Sequence, residues 1–138
     1  MKKFNLIPLY VVFVSVFLLA AASKFSSGYP EWFAKSFEST IINSFPSQMW
    51  ISFYTIAVLE AFTASLFLVS LVKGEFTPNK KKPVLNLGFF TAMLTFSILG
   101  FGRGLLREYD GVFQHFVFFG LTFILQSLIF GPTSHKGD

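Results

Sequence analysis

The chain has 138 residues, of which 53% are hydrophobic, 20% aromatic and 13% charged, with 21 phenylalanines and a mean hydropathy of +0.61. Soluble domains carry about 25% charged residues, so this composition excludes an ordinary soluble enzyme and describes a membrane protein. The net charge of +4 and pI near 9.5 arise in short connecting segments and not on a basic face, so no nucleic-acid partner is expected, and the lack of cysteine excludes disulfides and thiolate chemistry.

The first apolar segment runs from about Phe4 to Ala22. Lys2 and Lys3 precede it and Ala20-Ala21-Ala22-Ser23 close it, an order of charge, apolar run and small residues that signal peptides share. A run this long exceeds a signal core and suffices to cross a bilayer, so retention as a first helix is favoured over cleavage. A turn follows at Ser26-Ser27-Gly28-Tyr29-Pro30, and then Trp32, Phe33, Phe37, Ile41, Ile42 and Phe45 recur at near-helical spacing. That repeat predicts a short amphipathic helix, entered at Pro30 and ended before Pro46. Its aromatic face either rests at the bilayer interface or folds over the bundle mouth as a lid.

The second span, Trp50 to Val72, is uncharged except for Glu60. Lys73-Gly74-Glu75-Phe76-Thr77-Pro78-Asn79-Lys80-Lys81-Lys82-Pro83 is a basic, breaker-rich hairpin leading to the third span, Val84 to Phe101. Gly100, Gly102 and Gly104 then permit close backbone approach and a change of direction. Arg103, Arg107, Glu108, Asp110 and His115 crowd into the next connection, with Asp110 placed to cap the last span, Val112 to Phe130, and His115 about one turn inside it. The fold class expected is an all-α membrane protein. A four-transmembrane-helix bundle, with the short amphipathic helix between spans 1 and 2, forms a single domain over residues 1–138.

With four spans, Lys2, Lys3, Lys73, Lys80, Lys81, Lys82 and Lys136 fall on one side, and Lys24, Lys35, Arg103 and Arg107 on the other. The positive-inside rule then puts both termini in the cytoplasm. No phosphate-binding loop or serine–histidine–acid arrangement is present, and His115 and His135 lie a whole span apart, so no metal site or bis-histidine haem is expected.

Glu60 is the residue that demands a reason, because an ionisable group at membrane depth is expensive. It lies ten residues beyond Trp50, about 15 Å deep at 1.5 Å per residue. Lys24, Arg103 and His115 fall near the outer helix ends and are the candidate companions for a ligand or proton site. The depth predicts a gap too long for direct contact from Lys24 or Arg103 unless a helix is tilted or recessed. The structural alternative is a neutral acid bonded to Thr91, Thr95, Thr122 or Gln126. His115 leaves a proton relay open, a role histidine takes near neutral pH.

Ala22-Ser23-Lys24-Phe25, then Pro30 and Phe37, and a second span whose Glu60 is followed by Ala61, Thr63, Ala64 and Ser65, resemble the DoxX-like family of small integral membrane proteins. The resemblance covers span order, loop lengths and size. It implies a four-helix protein of a prokaryotic inner (plasma) membrane, a subunit associated with quinone-linked oxidoreductases, with Lys24 and Glu60 as the matching positions; the residues identify no cofactor, and quinone is the candidate. Arg103 and His115 rest on depth and chemistry alone. The isolated chain is then not expected to be an enzyme; its partners are the lipid bilayer and a membrane oxidoreductase subunit or a second copy. A proton-coupled transporter and a structural or assembly protein remain the alternatives.

Overall fold

A computed structural model describes residues 6–44 and 47–131. Lys2, Lys3, Phe4, Phe45, Pro46, His135 and Lys136, used in the sequence reading, lie outside the described residues. Among the described residues, four helices are long and apolar enough to cross a membrane. They are α1 (Ile7–Ser27), α3 (Gln48–Val72), α4 (Pro83–Leu105) and α5 (Tyr109–Phe130), with the short α2 (Glu31–Phe37) and a 3-10 turn (Ile41–Ser44) between α1 and α3. At 21 to 25 residues each, the long helices exceed the length needed to cross a hydrocarbon core of about 30 Å. The protein is a four-helix membrane bundle.

The boundaries have local causes. α1 continues five residues past the expected end because the Ser26 and Ser27 hydroxyls donate back to the Ser23 carbonyl, at 3.3 and 2.6 Å, and the chain breaks only at Gly28, whose φ is 69°. The predicted amphipathic helix is interrupted after Phe37. There the Thr40 hydroxyl donates to the Phe37 carbonyl and the Asn43 amide to the Glu38 carbonyl, at 2.7 and 2.8 Å, which competes with helix continuation. α3 ends in a Schellman turn: Gly74 (φ 69°) and Glu75 donate their backbone N–H groups to Leu71 and Ser70. α4 ends the same way through Arg107 and Glu108, which donate to Gly104 and Arg103.

Asp110 does not cap α5 as expected. The helix starts at Tyr109, and the residue before it, Glu108, makes no side-chain cap bond because its carboxylate is held by Arg103. Asp110 lies instead in the first turn, where its charge still complements the helix dipole.

Packing follows chain order: α1 lies on α3, α3 on α4 and α4 on α5. Phe13 stacks on Phe67 at 4.7 Å while Lys24 meets Glu60, so α1 and α3 are antiparallel. The core is mainly aromatic, with Tyr10, Phe13, Phe17, Phe67, Phe89 and Phe96 buried together. Gly88 allows a close approach of α4 to α3, since a Cβ there would stand 3.3 Å from the Phe67 ring. In lipid, helices gain little from apolar burial itself, so this close packing and the polar contacts must hold the bundle. On α5, Phe113, Phe116, Phe123 and Leu128 point outward, as expected of side chains that meet lipid acyl chains.

Candidate functional site

The inner faces of α1 and α3 carry apolar stripes that each include one charged residue. On α1 the buried positions Tyr10, Phe13, Phe17 and Ala21 lead at helical spacing to Lys24; on α3, Phe53, Ala57, Ala64 and Phe67 frame Glu60. The two charges meet across the seam. Lys24 Nζ donates to Glu60 Oε1 at 2.9 Å and to Oε2 at 2.8 Å. Glu60 is 3% exposed and the lysine side chain 25%. The acid is therefore enclosed, while its partner retains a route to the surroundings.

This direct pair corrects the expected gap. Lys24 lies only three residues before the end of α1, whereas Glu60 lies twelve residues into α3, about 18 Å from its start. Contact is possible because α1 stops well short of the N-terminal end of α3, and the recess is closed by the connection between them. Phe33 and Phe37 of α2 are buried against Phe53, with Tyr29, Leu105 and Leu106 around them. Phe37 also sits 3.8 Å from where a Cβ on Gly102 would be, so α2 reaches across to α4. The aromatic face of α2 is thus turned onto the bundle, while Trp32 remains exposed.

The hydroxyl and amide partners considered for a neutral Glu60 are engaged elsewhere. Thr91, Thr95 and Thr122 donate to the carbonyls of Gly88, Thr91 and Phe118, and Gln126 donates to Asn86 Oδ1 at 2.7 Å. Arg103 and His115 stand apart from the Lys24–Glu60 pair in their bonding. Arg103, in the last turn of α4, pairs with Glu108 across the hairpin, both about half exposed. His115 lies nearly two turns inside α5, deeper than expected, with Nδ1 2.7 Å from the Gly111 carbonyl and its ring against Phe96 and Phe118. A carbonyl partner makes Nδ1 the protonated nitrogen. The glycines of α4 admit these neighbours: a Cβ on Gly100 would lie 3.3 Å from His115 Cβ.

A second buried acid was missed by sequence reasoning. Glu75, 2% exposed, lies in the basic hairpin between α3 and α4. Its Oε2 accepts from Ser70 Oγ at 2.8 Å and from the Leu85 N–H at 2.7 Å, and its Oε1 accepts from the Val84 N–H at 3.3 Å. Since Ser70 spends its proton on Glu75, Tyr10 must donate to Ser70 Oγ, 2.6 Å away. This chain of bonds ties α1, α3 and the first turn of α4 at one end of the bundle. Lys82, the residue before α4, makes no side-chain cap bond. Desolvation lowers the pKa of its ammonium, against the opposing pull of Glu75. The available signal was the combination of an uncapped α4 start, at Lys82-Pro83, with an acid in the preceding loop.

No protein-family model matches this chain, and comparisons with curated proteins and with solved structures find no match.

Proposed function

We propose that this protein is a DoxX-like subunit of a prokaryotic plasma membrane, with both termini cytoplasmic, that binds a small quinone-type ligand at the Lys24–Glu60 pair and leaves redox chemistry to a partner oxidoreductase. The observation that carries this reading is the ion pair itself. An ammonium and a carboxylate bonded to each other near the middle of a membrane span, with the lysine a quarter exposed, offer a hydrogen-bond donor to a ligand carbonyl from an otherwise apolar wall. Lys24 supplies that donor, Glu60 fixes its position, and α2 covers the site from the outer end. The charge asymmetry of the loops supports the orientation.

The second reading is a structural or assembly role, favoured by Lys24 bonding to both carboxylate oxygens so that the pair is satisfied without a ligand. Purification in mild detergent, followed by mass spectrometry of co-purifying proteins and lipophilic molecules, separates the two. The quinone reading expects a reproducible quinone or oxidoreductase subunit with the wild type and its loss with Lys24→Met. Recovery of neither from the wild type, or identical recovery from both, supports the structural reading instead.

A further inference from the structure

The hairpin between α4 and α5 borders an open pocket of about 530 Å³, lined by Arg103, Arg107, Glu108, Tyr109, Asp110 and Gln114 among others, with its charged residues exposed. It lies where two membrane-spanning helices emerge from the bilayer, at headgroup level. Its charges are of both signs, and only half of them are internally satisfied. Arg103 is paired with Glu108. Arg107 and Asp110 line the same cavity, yet neither forms an ion pair or side-chain hydrogen bond among the described residues.

The backbone supplies a second indication. Both Schellman turns of this protein place one residue in the left-handed region: Gly74 after α3, with φ 69°, and Arg107 after α4, with φ 59°. Glycine takes that conformation freely, whereas a residue with a Cβ pays about 1 kcal/mol or more. The turn would close more easily with glycine, so the arginine is not there for the turn. Its side chain contributes a charge to the cavity rim.

The geometry points to this cavity as a binding site for a zwitterionic aminophospholipid headgroup, with the phosphodiester on Arg107 and the primary ammonium on Asp110. A headgroup of this kind carries both charges, separated by a short linker, and neutralises both unpaired residues at once. Arg103 and Glu108 hold the rim in shape: the Arg103 stem lies over Gly111, where a Cβ would meet its Cδ at 3.0 Å. This site is separate from the Lys24–Glu60 pair and does not depend on the role given to that pair.

The test is native mass spectrometry of the full chain in mild-detergent micelles, titrated separately with palmitoyl-oleoyl phosphatidylethanolamine, phosphatidylcholine and phosphatidylglycerol. Phosphatidylethanolamine is expected to bind most tightly. Loss of one charge-assisted contact corresponds to roughly tenfold in affinity, so Arg107→Gly, which also relaxes the backbone, should lower phosphatidylethanolamine binding about tenfold without lowering thermal stability. Asp110→Asn should abolish the preference over phosphatidylglycerol. Equal binding of the three lipids, or an unchanged titration with Arg107→Gly, would overturn the proposal. Inorganic phosphate displacing the lipid at comparable concentration would overturn it too, by making the cavity a soluble-anion site; displacement by glycerophosphoethanolamine alone would support it.

Discussion

Glu60 and Glu75 are equally buried, at 3% and 2% exposed, yet their partners differ in kind. Glu75 receives two backbone N–H groups of the first turn of α4 and one hydroxyl, so folding alone accounts for its presence. Among the described residues, Glu60 receives nothing from the backbone and a single ammonium from another helix. Burial of an acid is therefore no guide to its role in this protein. A carboxylate that satisfies a helix end belongs to the scaffold, whereas one held by a lysine that is a quarter exposed has a donor within reach of the surroundings.

The largest effect should come from removing the lysine. Lys24→Met leaves Glu60 enclosed without its donor and should cost about 3–5 kcal/mol in unfolding from detergent micelles. Adding Glu60→Gln should recover most of that loss, and a double-mutant cycle that finds the two changes simply additive would break the pairing. Glu75→Ala comes next. It removes the shared acceptor of the Ser70 hydroxyl and the Val84 and Leu85 N–H groups, and a loss of about 2–3 kcal/mol is expected by the same unfolding measurement. Hydrogen exchange should show the change concentrated in the first turn of α4. The smallest effect belongs to Tyr10→Phe, about 1 kcal/mol, because Ser70 keeps its bond to Glu75 when the phenol is gone. A Tyr10→Phe loss as large as that of Glu75→Ala would show that the α1 contact, and not the α4 helix start, is what Glu75 secures.

The sequence reading anticipates the bundle because apolar runs of span length, and breakers such as Gly28, Gly74 and Pro83, act locally. Glu60 was equally visible, as the one charge within a span. Its pairing with Lys24 was hidden, because the stagger of α1 against α3 depends on how Phe33 and Phe37 of α2 settle on Phe53, a tertiary fact that rise per residue does not contain. Counting from expected span ends also ended α1 too early, since serines that read as turn formers close the last helical turn through their hydroxyls. The pairing of Arg103 with Glu108 was hidden for a related reason. The left-handed turn at Arg107 brings Glu108 back onto Arg103, and nothing in the residue pattern marks a non-glycine residue for that conformation. Glu75 escaped notice because a charge in a hydrophilic loop ordinarily needs no partner.

The most direct test of the contrast between the two acids is binding of a short-chain quinone analogue, followed by quenching of Trp32 and Trp50 fluorescence, in Glu60→Gln and Glu75→Gln proteins shown to be folded. Glu60→Gln should weaken binding by about tenfold, the equivalent of one charge-assisted hydrogen bond, while Glu75→Gln should bind like the wild type despite its lower stability. Wild-type affinity in Glu60→Gln, or an equal loss in both variants, would contradict the account.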